Sequence, residues 1–139
     1  LAGNLTGILS QRLVRRLCQS CRAPGPATAD ELARLALPAG ATPPDLYQAV
    51  GCPACDFRGY RGRLAITEIL PIDAELDELI ARRAHTAELR AAAQRKGFRS
   101  LAEDGVRRVL DGSTSLRELA RVIDLSPLSA PTRMASTCA

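Results

Sequence analysis

Residues 51–63 read Gly-Cys-Pro-Ala-Cys-Asp-Phe-Arg-Gly-Tyr-Arg-Gly-Arg and contain the second of two Cys-x-x-Cys pairs. The first pair is Cys18 and Cys21, and the second is Cys52 and Cys55. Each pair places two thiols on one tight turn, and four thiolates are a complete set of soft ligands for a tetrahedral zinc ion. The sequence therefore predicts a Zn²⁺ site with these four ligands. The alternatives are disulfides or a thiol–disulfide redox pair.

The spacing of the two pairs indicates what such a site does. Thirty residues separate Cys21 from Cys52, more than the roughly 15–20 of a short zinc ribbon, so the pairs bracket a small insert rather than one hairpin. Four thiolates fill the coordination sphere and leave no position for water or substrate. We therefore expect a structural site that joins distant segments and contributes folding energy.

The composition is that of a small globular chain with an aliphatic core. Of the 139 residues, 46% are hydrophobic and 24% charged, but only 3% are aromatic. Such a core is thin and gains from a bound metal. No apolar run approaches the roughly 18–20 residues that span a bilayer, and neither a signal peptide nor a Met is present at Leu1. We expect a fragment of a longer cytoplasmic protein, since metal-type cysteines favour a reducing compartment.

The chain is basic, with a net charge of +4 and a pI of about 9.1. A basic balance suits nucleic acid, an anionic membrane surface or an acidic partner. Zinc with four thiolates carries two negative charges, so we expect nearby guanidinium groups and backbone amides to compensate them. Aromatic residues for base stacking are nearly absent, which argues against nucleic acid. The arginines close in sequence to the cysteines are Arg12, Arg15, Arg16, Arg22, Arg58, Arg61 and Arg63.

Hydrophobic spacing predicts helices at the start of the chain and one strand. Apolar residues recur at helical spacing over 5–17 and predict an amphipathic helix that enters the first cysteine pair. Thr28 and Glu31 form a capping-box pattern for a short helix, and a turn of helix is predicted around 45–50. Residues 63–70 read as a strand that is covered on both faces and ended by a proline.

Repeated cap and stop signals predict a bundle of helices between 73 and 124. From Ser126 onward, Ser, Pro, Thr and Ala predominate and predict a disordered tail in which Cys138 is a free, exposed thiol. The predicted fold class is mainly α, with a small zinc-bound insert, a short β element and a helical C-terminal bundle. The residues predicted to start its helices are Asp73, Thr86, Ser100 and Ser115, the last two with Glu103 and Glu118 at capping-box spacing.

Three stretches occur together in a specific order: 11–21, then 51–63 with Ile66 and Glu68, then 97–118. Up to about residue 125, this order and spacing closely resemble the C-terminal part of the type II secretion and type IV pilus assembly ATPases. Relatives often carry a proline at 19–20 and a glycine at 64–65, where this chain does not, and neither departure removes a cysteine. Retraction ATPases of the same superfamily lack the four cysteines, which favours the assembly or secretion branch.

The resemblance implies a parent enzyme that is a hexameric P-loop motor. ATP and Mg²⁺ would bind in a domain upstream of Leu1, and the chain itself has no G-x-x-x-x-G-K-[ST] sequence, so we expect the fragment alone to be inactive. The implied partners are other subunits of a hexameric ring and inner-membrane secretion or pilus platform proteins, with no nucleic acid. The implied location is cytoplasmic, peripheral to the bacterial inner membrane through these partners.

The resemblance also divides the chain. Residues 1–17 would be a helix at the end of the ATPase core, 18–62 the tetracysteine zinc subdomain, 63–125 a strand plus helical C-terminal subdomain, and 126–139 the tail. No catalytic residue is expected in the chain, and the lone His85 is expected on the surface. Arg63 and Glu68 are expected to pair with neighbours and fix the strand, although Arg12 and Arg63 could also contact an adjacent subunit.

The expected function is a non-catalytic module of a secretion motor that docks partners and transmits motion. The main alternative is a zinc-ribbon nucleic-acid-binding module, favoured by the basic charge alone. A thiol–disulfide redox module is a third possibility, and it would have reactive thiols.

Overall fold

The computed structural model describes residues 2–37 and 42–126, which form two small antiparallel sheets and five helices. The predicted tail beyond Ser126, with Cys138, lies outside these residues. The strands are β1 (Gly7–Leu17), β2 (Ala23–Pro26), β3 (Asp45–Gln48) and β4 (Tyr60–Pro71). The helices are α1 (Ala29–Leu35), α2 (Ala74–Ala81), α3 (Thr86–Arg95), α4 (Leu101–Leu110) and α5 (Leu116–Val122).

The two longest strands, β1 and β4, form an antiparallel ribbon in continuous register along most of their length. Val14 and Ile66 are fully buried on one face of this ribbon. On the opposite face Leu9, Leu13 and Ile69 are each more than half exposed. The predicted strand is therefore confirmed and is longer than expected, but only one of its faces is covered.

The helix predicted over residues 5–17 is wrong, because this segment is β1. The apolar residues fit helical spacing, yet Ile8, Leu9 and Leu13 are 50%, 61% and 53% exposed in the strand. Pairing with β4 along β1 satisfies the backbone groups on one edge of this strand, and a local pattern cannot reveal a partner so far along the chain. For the same reason the turn of helix predicted around 45–50 is wrong: this segment is β3, which pairs with β2 across the insert.

The capping signals correctly locate the helix starts. Thr28 with Glu31, and Ser100 with Glu103, complete the capping boxes of α1 and α4. Asp73 caps α2 through a hydrogen bond from the N–H of the residue three positions on. The helix α3 begins at the predicted Thr86, but its N-cap is the exposed His85.

The four helices between 73 and 124 do not form the predicted single bundle. In the described part of the chain α2 and α3 pack on each other around a small apolar cluster, whereas α4 and α5 contribute to a main core shared with β1, β3 and β4. The fold is thus mixed rather than mainly α. Helices of seven to ten residues are too short to be stable alone, so they bury their apolar faces against the ribbon or each other. None of the described helices is long and apolar enough to cross a membrane.

Candidate metal centre

The first cysteine pair lies where β1 ends. The N–H of Cys18 donates to the carbonyl of Gly59 at 3.0 Å, which anchors this turn to the second motif. The carbonyl of Cys18 accepts the N–H groups of Cys21 at 3.3 Å and Arg22 at 2.9 Å. The chain therefore turns back at once, and the two sulfurs of the pair lie within 4.8 Å of each other.

The second pair is held by a 3₁₀ turn, Pro53–Cys55, whose surroundings require glycine. The carbonyl of Cys52 accepts the N–H of Phe57 at 2.9 Å and closes the turn. Gly51 has φ +108°, and a Cβ there would lie 2.6 Å from the carbonyl oxygen of Phe57. A Cβ on Gly59, at φ +73°, would likewise lie 2.6 Å from a neighbouring side-chain carbon. These glycines allow the backbone to close around the sulfurs.

The four predicted ligands converge on one point. Cys18 Sγ lies 3.9 Å from Cys52 Sγ, Cys21 Sγ lies 3.8 Å from Cys55 Sγ, and all four sulfurs lie within 4.8 Å of one another. Sulfurs placed tetrahedrally at about 2.3 Å from an ion are separated by roughly 3.8 Å. All four thiols are free, at distances too long for disulfides. The cluster could therefore hold a metal ion.

Backbone N–H groups, rather than side chains, point at the sulfurs. Gly51 N–H donates to Cys21 Sγ at 3.3 Å, and the N–H groups of Cys52 and Gly59 both donate to Cys55 Sγ at 3.2 Å. Burial raises the pKa of the Cys55 thiol, but these two N–H groups and the thiols of Cys21 and Cys52 together lower it to about 7. Burial and the neighbouring thiols raise the pKa of Cys21 to about 11, although the Gly51 N–H acts in the opposite direction. Crowded thiols resist joint ionisation, and a divalent cation among them removes that resistance.

The backbone amides predicted to compensate the thiolate charge are present, whereas no arginine N–H donates to a sulfur within the described residues. The arginines next to the cysteines in sequence have other partners: Arg15 binds Glu118, Arg22 binds the carbonyl of Gly112 and lies 4.5 Å over the ring of Tyr47, and Arg58 pairs with Asp56.

Sequence reasoning missed the most heavily hydrogen-bonded carboxylate, Glu118. Its side chain is fully buried and accepts three hydrogen bonds from Arg15, including one from the backbone N–H, and two from Arg121. Burial alone would raise the pKa of Glu118, but the hydrogen bonds from Arg121 and Arg15 lower it to about 2. Ser115 does cap α5 as predicted, yet the carboxylate turns to the arginines instead of completing the box. Of the two arginines, only Arg121 lies close to Glu118 in the sequence, so the contact with Arg15 could not be predicted from local spacing.

The loop between α4 and α5 connects the strands to the metal centre. The buried hydroxyl of Thr114 donates to the carbonyl of Arg15 at 2.8 Å, at the end of β1. The hydroxyls of Ser115 and Tyr60 share a hydrogen bond of 2.7 Å, which reaches β4 just after the second cysteine pair. Together with the bond from Arg22 to Gly112, these contacts fix the cysteine turns against the helices.

Of the other residues singled out in the sequence, Glu68 makes a neighbour contact that fixes the strand, as predicted, whereas Arg63, among the described residues, does not. Glu68 accepts the N–H of Leu101 at 3.0 Å and so holds the start of α4 on β4. Arg63 lies opposite Arg15 in the ribbon and has no ion pair within the described ranges, so its predicted pairing is wrong. Arg12 donates to the carbonyl of the preceding residue.

The ribbon, the four-cysteine insert and the short helices together belong to a known class of protein. Residues 1–121 match the model of the family described as type II/IV secretion system protein, and the chain belongs to that family.

Individual relatives agree with this assignment. The chain is 42% identical over 125 residues to the type IV pilus assembly ATPase PilB of Myxococcus xanthus, a match that covers 86% of this chain and 21% of PilB. It is 40% identical over 126 residues to PilB of Thermus thermophilus, covering 89% of this chain and 14% of that protein. It is 40% identical over 122 residues to the type II secretion system protein HxcR of Pseudomonas aeruginosa, covering 88% of this chain and 22% of HxcR. The chain thus spans less than a quarter of the length of these relatives.

Proposed function

We propose that Cys18, Cys21, Cys52 and Cys55 bind one structural Zn²⁺ ion. The observation that carries this proposal is the convergence of all four sulfurs within 4.8 Å, with separations of 3.8 and 3.9 Å close to those of a tetrahedral thiolate site. Three backbone N–H groups already donate to two of the sulfurs, which is the support that bound thiolates need. With four protein ligands the shell is closed, so the ion has no role in catalysis.

The zinc ion would stabilise an insert that has little apolar surface of its own. Its two-stranded sheet, β2 with β3, contributes one fully buried large side chain, Leu46, to the main core, and α1 contributes Leu35. A two-stranded sheet is marginal in water without further support. The four cysteines join both ends of this insert, so metal binding there closes a loop of about thirty residues and supplies folding energy.

The parent protein of this chain would hydrolyse ATP to drive type II secretion or type IV pilus assembly. This proposal is supported by the family and by the names of the relatives, which include type IV pilus assembly ATPases. ATP and Mg²⁺ would bind to a part of the parent other than this chain, in which no Walker A sequence occurs. The parent would work as a hexameric ring at the cytoplasmic face of the inner membrane and would contact the platform proteins of the secretion or pilus machine.

Within that motor the chain would dock partners and transmit motion without catalysing a reaction. The chain would divide into segments 1–17, 18–62 and 63–125, and the first segment contains the strand β1 rather than a helix. The contacts that support coupling are those of the loop between α4 and α5, which binds the end of β1, Arg22 just after the first cysteine pair and Tyr60 at the start of β4. A displacement of either the ribbon or the insert would therefore reach the helices through this loop.

Metal analysis of the purified chain tests the site directly. We expect close to one zinc per chain by elemental analysis, and loss of that zinc in Cys52→Ser because the cluster then has three sulfurs. The matched control is Cys138→Ser, the same change at the cysteine outside the predicted ligand set, which should keep its zinc. A Cys52→Ser protein that retains one zinc per chain would contradict the ligand assignment.

The same protein distinguishes the alternative functions. Zinc-bound thiolates should resist alkylation until a chelator is added, whereas a redox pair would react at once. Tight binding of an oligonucleotide with a steep dependence on salt would favour the nucleic-acid module instead.

A further inference from the structure

A cleft of about 520 Å³ lies beside the metal centre, between the insert and α5. Its walls come from the end of β1, from α1, from β3, from the start of β4 and from α5. Clefts of this size commonly hold ligands or peptide side chains. No part of the proposed zinc or motor function uses it.

The cleft is positively charged. Four arginines line it and Glu31 is its one lining carboxylate, which is itself engaged by the Thr28 hydroxyl and backbone. Three of these arginines bind Glu118 or Asp56. The fourth, Arg117, is exposed and has no carboxylate partner among the residues that the structure describes. One positive charge is therefore left over when Glu31, Glu118 and Asp56 are counted against the four arginines.

The two arginines that bind Glu118 remain available to a second anion. The side chains of Arg15 and Arg121 are 48% and 63% exposed, although the carboxylate that they share is completely buried. A guanidinium group has five N–H donors, and Glu118 takes only two from each side chain. Glu118 thus holds both groups in place while their outer N–H groups face the cleft, an arrangement suited to carboxylate recognition.

The cleft also runs along the edge of a strand. Four consecutive residues, 46–49, line the cleft. Side chains of neighbouring strand residues point to opposite faces, so a cleft that touches all four residues must run along the edge of the strand rather than over one face. On its other side β3 faces β2, where Pro24 and Pro26 lie opposite Tyr47 and Asp45 and cannot donate hydrogen bonds. The backbone groups of Tyr47 therefore point away from β2, to an edge that no other described strand occupies.

We propose that this cleft binds an extended acidic segment of a partner protein. The segment would add a strand to the free edge of β3 and place carboxylates against Arg117 and the outer N–H groups of Arg15 and Arg121. The parts of this chain that the structure does not describe, Leu1, 38–41 and 127–139, contain no acidic side chain and so lack the required charge. The inference deepens the proposed docking role, because it names the chemistry of the partner.

A fluorescent peptide of alternating Glu and Val tests the proposal by anisotropy with the zinc-loaded chain. The peptide should bind, and Arg117→Glu should weaken it about tenfold, since an attraction becomes a repulsion at an exposed site. The matched control is Arg90→Glu, which makes the same change in net charge on the exposed side of α3 and should alter the affinity less than twofold. A version of the peptide N-methylated at every residue should also lose binding, because it has no N–H group left to donate to a strand edge.

Each outcome is decisive. Equal weakening by Arg117→Glu and Arg90→Glu, or undiminished binding of the N-methylated peptide, would overturn the site, as would tighter binding of inorganic phosphate or an oligonucleotide than of the peptide. Zinc content and thermal unfolding are measured on the same samples. A zinc-loaded, folded chain that does not bind the peptide overturns the cleft proposal alone, whereas a chain without zinc overturns the proposed metal centre.

Discussion

Glu118 is a buried carboxylate that binds arginines from two different elements. Arg15 lies in β1 and Arg121 in α5, and the two residues that bridge strand and helix, Arg15 and Glu118, are 103 positions apart in the sequence. A buried charge is tolerated only when its partners satisfy it, and removing one member of such a network leaves the others unpaired. This residue therefore contributes to the position of α5 on the ribbon as well as to the charge of the cleft.

We predict that Glu118→Gln lowers the free energy of unfolding by about 2–4 kcal/mol. Glutamine has nearly the same shape but no charge, so two guanidinium groups lose their shared counter-ion. Urea denaturation at neutral pH measures the change. The control is Glu78→Gln, the same substitution at an exposed position of α2, which should fall within about 0.5 kcal/mol of the original chain. Equal stability of the two variants would contradict the role given to Glu118.

The same carboxylate makes the stability depend on pH. The pKa of Glu118 is lowered in the folded chain from 4.5 to about 2, so folding favours the ionised form. Its contribution is complete above pH 4.5 and disappears as pH falls towards 2, and the shift corresponds to about 3 kcal/mol. The stability gap between the original chain and Glu118→Gln should therefore narrow between pH 5 and pH 2. Any metal held by the cysteines would be released from both proteins in acid. The difference between the two proteins therefore reports on Glu118, and a constant gap would refute the assignment.

At the scale of elements, the loop between α4 and α5 is a contact between helices and cysteine turns. Gly112 in this loop has φ +72°, and a Cβ there would lie 2.5 Å from the ring of Tyr47 and 2.7 Å from Arg22. The glycine is needed both for the backbone conformation and for the close approach of the insert. A residue with a side chain in place of Gly112 should push the first cysteine turn away from the helices.

We expect Gly112→Ala to destabilise the chain by about 3 kcal/mol or more, from left-handed strain together with the steric clash. Gly97→Ala is the matched control, because Gly97 has φ +81° but nothing within 4 Å of the added Cβ. In that control the free energy of unfolding should fall only by the cost of the left-handed backbone conformation, about 1–2 kcal/mol. Thermal or urea unfolding of both variants measures the difference. If the two losses are the same, the contact with Tyr47 and Arg22 adds nothing.

At the scale of the whole molecule, the described chain has two apolar clusters with different relations to the metal centre. The main core includes Leu35 and Leu46 of the insert together with residues of the ribbon, α4 and α5. The smaller cluster, around Leu76, Leu79 and Ala92, joins α2 to α3 and contains no residue of the insert. Loss of the metal should therefore spread through the first cluster and spare the second.

Hydrogen exchange with and without a chelator measures this spread. Removing zinc should abolish protection of amides over 18–59, lower it partly in α4 and α5 through Leu35 and Leu46, and leave α2 and α3 unchanged. Reloading zinc should restore the original pattern, which excludes damage by the chelator. Loss of protection in α2 and α3 to the same extent as in the insert would show that the two clusters are not independent.

The predictions from sequence succeeded where the signal is short. Each Cys-x-x-Cys pair and each of the caps Thr28, Asp73 and Ser100 spans only three residues, so local spacing was enough to locate the four cysteines and these helix starts. The same local reasoning failed for β1, whose apolar spacing imitates a helix. It gave no sign of the cleft, since residues of five elements line it.

By itself, the sequence determined the local chemistry of this protein: two cysteine turns, the helix caps, the glycines that the turns require and the resemblance to a family. The tertiary structure alone decided that residues 7–17 form a strand, that the helices divide between two clusters, and that Glu118 pairs with Arg15. The physical reason is the range of the interactions. A cap or a turn is satisfied by neighbours in the chain, whereas a strand or a buried charge is satisfied by a partner that only folding brings near.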